Sequence, residues 1–267
     1  MHAVVRIALV LALLGGCATA EPEAAGTSEP ALPELTEVIQ LARDDGAGVQ
    51  QWEVLPDRAV VVFSFRGCPT PECGSPTTTV RAVDLAGEPW TIAEADQGAR
   101  FEIVGNEVRV LSTNGEGSSY AIDSPMPTLA EMTENPEVQL GEIPGFRAHN
   151  DIAAVLSDGR FFVRGQWDGD EPVETWIESF NSGERTTEPR RPIRLFLYDP
   201  ATEELTPIGD LPPLRETSTA VSTSYSPDTV LRVEVLAGES AVAYSAGFNG
   251  AAYDIEHGLY LAPIPAG

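Results

Sequence analysis

Lysine is absent from this sequence: all 16 basic residues among its 267 are arginine, and they face 41 Asp and Glu for a formal net charge of −25. A chain this acidic lacks the basic stripe that nucleic-acid recognition requires. It also lacks the polybasic patch that holds a protein on an anionic lipid surface. Histidine and cysteine are scarce, at three each, which leaves little material for a metal centre or a nucleophilic triad. Helical periodicity is weak outside Leu35 to Arg43, where a short amphipathic turn is expected. With 24 Gly, 22 Pro, 42% hydrophobic and 21% charged residues, the chain is turn-rich and has the apolar content for a real core.

One apolar run stands out. His2 and Arg6 form a short basic region, and the run from Val4 through Leu14 is too short for a membrane span of about 20 residues, so it reads as a secretory signal. It closes as Leu14-Gly15-Gly16-Cys17, which resembles the lipobox of bacterial lipoproteins. That resemblance implies that residues 1–16 are removed and that Cys17 is lipidated at its thiol, anchoring the mature chain in a bacterial envelope membrane. Ala18 in place of Asp implies the outer membrane, on its periplasmic or surface face. Residues 17–37 are mainly Ala, Pro, Glu, Thr and Ser, too poor in large apolar groups to offset their ordering entropy. They read as a flexible acidic tether that reaches on the order of 60 Å when extended. Residues 38–267 are then the folded domain.

Cys68 and Cys73 flank Pro69-Thr70-Pro71-Glu72. In an oxidising compartment two such cysteines read as a disulfide stapling a turn, in preference to a redox or metal pair, because no His lies nearby in sequence.

The body of the chain repeats one pattern: an alternating strand, a tight turn and a second apolar strand. The units run from Gln51 to Phe63 about Pro56-Asp57, and from Arg100 to Leu111 about Gly105-Asn106. A third spans Ile152 to Gly165 about Asp158-Gly159, and a fourth Leu231 to Tyr244 about Ala237 to Ser240. Asp-Gly between β-rich runs predicts a two-residue type I′ hairpin turn. A third strand-like segment follows each hairpin: Thr79 to Asp84, Ser119 to Ile122, Ile193 to Tyr198 and Gly258 to Leu261. The first three units recur about every 50 residues, the period of propeller blades. The longer last interval holds two expected loop insertions, 166–191 and 217–226. The predicted fold is all-β, propeller-like, with about four antiparallel meander blades, a β-sandwich being the alternative.

Ser157-Asp158-Gly159-Arg160-Phe161-Phe162-Val163-Arg164-Gly165, then Leu197-Tyr198-Asp199-Pro200, then Gly209-Asp210-Leu211-Pro212-Pro213-Leu214-Arg215, resembles a kelch blade. The resemblance implies a propeller in which Asp-Gly turns one hairpin and the aromatic before Asp-Pro sits on the third strand. Two positions depart from the pattern: Gly165 is single where Gly-Gly is usual, and Leu205 replaces a Trp.

Coherent catalytic chemistry is missing. There is no G-x-S-x-G elbow, no phosphate-cradling glycine loop and no cofactor motif, and no catalytic or metal residue is assigned. Asp254, His257 and Ser245 form the nearest thing to a triad, and His149 stands apart from it. The acidic loop Trp167-Asp168-Gly169-Asp170-Glu171-Pro172-Val173-Glu174-Thr175-Trp176 offers hard oxygen ligands, so Ca²⁺ is one reading and a solvated loop the other. Trp167 and Trp176 either form an aromatic ligand platform or pack on a blade edge. The expectation is therefore a membrane-anchored, non-enzymatic binding or scaffold module for a protein or glycan. A hydrolase acting on envelope glycans or peptides is the alternative.

Overall fold

The run Val60-Val61-Val62-Phe63 offers no polar side chain to turn toward water, so a strand made of it must be covered on both faces. All of these side chains are fully buried. The same holds for Phe161-Phe162-Val163, Leu195-Phe196-Leu197 and Ala241-Val242-Ala243. These are the inner strands of a stack of sheets. The structure is a computed structural model that describes residues 35–42, 49–67, 77–129, 138, 140–170, 177–178, 185–186, 191–211, 214–218, 223–227, 229–250 and 253–267.

The first strand, β1 (Ile39–Ala42), pairs far along the chain. The first sheet is a meander of β2 (Val49–Val54), β3 (Val60–Gly67), β4 (Thr77–Asp84) and β5 (Trp90–Ala95). A second follows with β6 (Arg100–Val104), β7 (Glu107–Leu111) and β8 (Gly117–Ala121). The third contains β9 (Phe146–Val155) and β10 (Phe161–Trp167). A small ribbon, β11 (Ile177–Glu178) with β12 (Arg185–Thr186), then precedes β13 (Arg194–Asp199) and β14 (Glu204–Ile208), which complete it. A second ribbon, β15 (Leu214–Ser218) with β16 (Thr223–Pro227), leads to the fourth sheet of β17 (Thr229–Val235), β18 (Ala241–Gly250) and β19 (Tyr253–Pro263). The first predicted insertion, 166–191, holds the β11–β12 ribbon, while the second, 217–226, falls within a β15–β16 ribbon that begins at Leu214. Every pairing is antiparallel. The fold is all-β and propeller-like in its meanders; among the described residues the only helical turn is Ala237–Glu239.

The sequence reading is corrected at two points. Leu35 to Arg43 holds no amphipathic turn among its described residues. Ile39–Ala42 is instead the outermost strand of the fourth sheet, with Ile39 opposite Leu261. The Asp158-Gly159 connection is also not a type I′ turn, since only Gly159 has positive φ, at 90°. The Gly159 amide donates to the Leu156 carbonyl (3.1 Å) and the Leu156 amide to the Arg160 carbonyl (2.8 Å), so the loop is Ser157–Gly159. This is a type I turn closed by a left-handed glycine, and Asp158 Oδ1 supports it by accepting from the Arg160 amide at 3.0 Å.

Alternate side chains of each inner strand face opposite neighbours. Val242 and Tyr244 of β18 meet Phe162, Leu195 and Leu197 of the third sheet. Ala241 and Ala243 join Leu259 and Leu261 in the core shared with the first sheet, which continues through Phe101, Val108 and Val110 of the second. The far face of the third sheet, Phe161, Val163 and Phe196, is covered by Val138, Leu140 and Phe146. Burial of these side chains contributes roughly 1.5–3 kcal/mol each before ordering entropy is counted. Residues 32–267 form one unit by their contacts.

Candidate functional site

Cys17, Cys68, Cys73, Glu171, Glu174 and Trp176 lie outside the described residues, as do the side chains of Asp254 and His257. The remaining candidates are placed, and the structure separates them. Ser245 is fully buried in the middle of β18, opposite Leu259, so its hydroxyl is not presented to a substrate. His149 lies on β9 with Nε2 buried and without a hydrogen-bond partner. Trp167 packs edge-on against Phe196, centroids 6.1 Å apart at 75°, so the blade-edge reading holds for this ring. A side chain at Gly169 would collide with it.

Asp168 and Asp170 do not converge. Asp168 is exposed and faces Arg191 Nε at 3.5 Å. Asp170 is buried and bound by the Arg194 guanidinium, while its backbone carbonyl accepts from Arg191. Each carboxylate already has an arginine where a Ca²⁺ reading would place the metal. Among the described residues no three His, Cys, Asp or Glu side chains are grouped as a metal site.

Arg194 of this Asp170–Arg194 pair lines a cavity. Arg194 opens β13 and spans to the adjacent strand, where one of its terminal nitrogens donates to the Gly209 carbonyl at 3.0 Å. Its Nε and the Oδ2 of Asp170 are both buried and have no partner. The cavity, about 140 Å³, lies between the third and fourth sheets, its polar lining being Arg194, Gln40, Asp210, Tyr244 and Tyr260. Leu195, Ile208 and Val230 form its apolar floor. At this volume it fits one ring or chain end, well short of a drug-sized ligand.

Tyr244 and Tyr260 are cross-strand partners on β18 and β19, and their rings stack 5.1 Å apart at 15°. Burial pushes the Tyr244 hydroxyl far above its ordinary range; Tyr260 and Asp210 push the same way and Arg194 opposes them. Tyr244 therefore remains a neutral O–H at any physiological pH. Gln40 of β1 donates to the Tyr260 hydroxyl at 3.4 Å. Gly209 has φ of 69°, and a Cβ there would overlap the Tyr244 hydroxyl, so this position needs glycine for both conformation and space.

The sequence pattern located the strands that carry Tyr244, Tyr260 and Arg194, but gave no sign that their ends meet. The one available hint was Asp170, an acid between two tryptophans. The sequence matches no protein-family model, and comparison with curated proteins and with solved structures finds no match. Among the described residues no helix is long and apolar enough to cross a membrane.

Proposed function

We propose that this chain is a lipid-anchored, extracytoplasmic binding module that takes a sugar ring of a glycan partner in the cavity between its third and fourth sheets. The observation that carries this reading is the cavity's lining, in which Arg194, Gln40, Asp210, Tyr244 and Tyr260 stand around an apolar floor. A sugar hydroxyl donates and accepts at once, so a polyhydroxylated ligand suits a lining that holds both donors and acceptors. Arg194 is neutralised by Asp170, so the site offers no net positive charge to an anion. The stacked tyrosines add an apolar wall of the kind that packs on sugar rings.

Localisation rests on Leu14-Gly15-Gly16-Cys17 and the polar tether behind it. The lipid is the membrane partner, the outer membrane the address, and a disulfide between Cys68 and Cys73 suits that compartment. The kelch-like segment from Ser157 to Arg215 includes β10, β13 and β14 of the sheet that supplies Arg194, with Asp170 in the turn after β10, which agrees with a propeller used as a binding scaffold.

The test is ligand-detected NMR of the full-length protein with neutral envelope-type oligosaccharides, beside Tyr244→Phe and Asp170→Asn variants. Saturation transfer to sugar ring protons that is lost in Tyr244→Phe, or in Asp170→Asn with its circular dichroism unchanged, supports the site. Transfer unaffected by both variants, or no transfer at millimolar sugar, rejects it. Mass spectrometry of the membrane fraction tests the anchor: the mature chain must begin at a lipid-modified Cys17, and Cys17→Ser must abolish that modification.

A further inference from the structure

Among the described residues the second sheet has three strands, where each of the other three meander sheets has four. Its last strand, β8, is exposed at every residue. Two hydrogen bonds fix the phase of the β7–β8 ladder: the Ser112 amide to the Glu116 carbonyl (2.8 Å) and the Ile122 amide to the Asn106 carbonyl (3.0 Å). In an antiparallel pair, bonded and non-bonded residues alternate. Val108–Tyr120 and Val110–Ser118 are therefore the bonded pairs, and Gly117, Ser119 and Ala121 turn their backbone N–H and C=O away from β7. The strand has none of the usual edge protection: no charge, no proline and no bulge in its pairing.

A groove of about 430 Å³ runs beside this edge, between the first and second sheets. Tyr120 and Ser118 of β8 form one wall, and Glu94 and Asp96 line the groove from the first sheet. Glu116 stands just ahead of β8. Among the described residues no arginine makes an ion pair with these three carboxylates. Among the described residues Tyr120 is one of few large apolar side chains left in solvent, at 36% exposure.

We propose that β8 is a docking edge for an extended basic segment of a partner polypeptide, which adds as a fourth strand and places alternate Arg or Lys side chains in the acidic groove. Backbone hydrogen bonds from Gly117, Ser119 and Ala121 supply the strand pairing, and side-chain pockets at period two supply selectivity. Charge complementarity chooses the partner. A second copy of this chain carries the same net charge of −25 and no lysine, so self-pairing sets like charge against like. The site is independent of the cavity between the third and fourth sheets.

The experiment is fluorescence anisotropy of the full-length protein with a labelled peptide of alternating arginine and threonine, at about 0.15 M salt. The control peptide has the same sequence with alternate backbone amides N-methylated, which keeps the charge and removes strand pairing. The methylated peptide is expected to bind at least about tenfold more weakly, and Ser119→Pro to cause a similar loss. Proline at Ser119 removes an outward amide and leaves the β7 ladder intact, so circular dichroism should be unchanged. Glu94→Gln with Asp96→Asn should weaken binding several-fold and flatten its salt dependence. Equal binding of the two peptides means that the protein acts as a bulk polyanion, and overturns the proposal. So does the absence of binding up to about 1 mM peptide. The peptide pair reads out on unaltered protein, so the test stands even where Ser119→Pro fails to fold.

Discussion

The guanidinium carbon of Arg232 sits 4.3 Å from the centroid of the Trp52 ring, bracing the fourth sheet against the first. Arg232 also donates to the Trp52 carbonyl at 2.7 Å and reaches Glu53 and Glu234 at 3.0 and 3.1 Å. Burial alone would lower the pKa of Arg232, but Glu53 first and Glu234 after it outweigh burial and raise it. These carboxylates are more than 40% exposed, so solvent screens the ion pairs and they contribute little. The stabilisation lies in the ring contact and the bond to the buried carbonyl. Arg232→Met should therefore cost about 1–2 kcal/mol and Glu53→Gln under about 0.5. Chemical denaturation of the two variants checks this, and equal losses would assign the bracket to the ion pair.

Gly165 is a spacing residue. A Cβ there would fall on the Arg147 carbonyl and the Phe146 ring, and a backbone atom cannot rotate away. Gly165→Ala should cost roughly 2–4 kcal/mol through overpacking and a disturbed β9–β10 pairing. Gly159→Ala, in an open turn with φ of 90°, should cost about 1. A thermal midpoint ordering of wild type, then Gly159→Ala, then Gly165→Ala is the expected outcome. The glycine at position 165 is thus explained by the close approach of the paired β9 backbone at Arg147.

Most of the sheet architecture was readable because continuous apolar runs such as Val60 to Phe63 and Leu195 to Leu197 admit few alternatives. The fourth strands were not. Trp90–Ala95 and Glu204–Ile208 are short edge strands with no clean alternation, and only the neighbour that pairs with them makes them strands. Ile39–Ala42 pairs with residues near the far end of the chain, a contact that no local pattern encodes. The cavity was illegible for the same reason. Gln40, Arg194, Gly209 and Tyr244 are brought together by register between strands, and each alone is an ordinary strand or turn residue.

Asp170 and Arg194 are a buried pair, their side chains 5% and 11% exposed. Removing one partner leaves a buried charge uncompensated, which costs about 3–5 kcal/mol, whereas replacing both by apolar groups is often near neutral. Asp170→Leu is therefore expected to be strongly destabilising, and Asp170→Leu with Arg194→Met to recover most of the loss. A coupling energy near zero in this double-mutant cycle would show that the two side chains do not depend on each other in the folded protein.

Tyr244 makes stability depend on alkaline pH in a direction fixed by its environment. Its folded-state pKa is raised, with burial as the main cause, from an unfolded value near 10. Below about pH 10 both states hold the proton and the contribution is fully present. Above it, the unfolded chain releases the proton and the folded one keeps it, so stability falls by up to about 1.4 kcal/mol per pH unit from this one group. The chain has no lysine, and arginine stays protonated, so little else titrates in this window beyond its other tyrosines and any free thiol. Tyr244→Phe should flatten the loss of stability between about pH 10 and 12 while leaving the neutral-pH value within about 1 kcal/mol. Absorbance of tyrosinate should show one phenol fewer ionising only with unfolding in the variant than in the wild type. Parallel stability profiles for the two proteins would mean that the hydroxyl reaches solvent, and the cavity wall would then be open on that side.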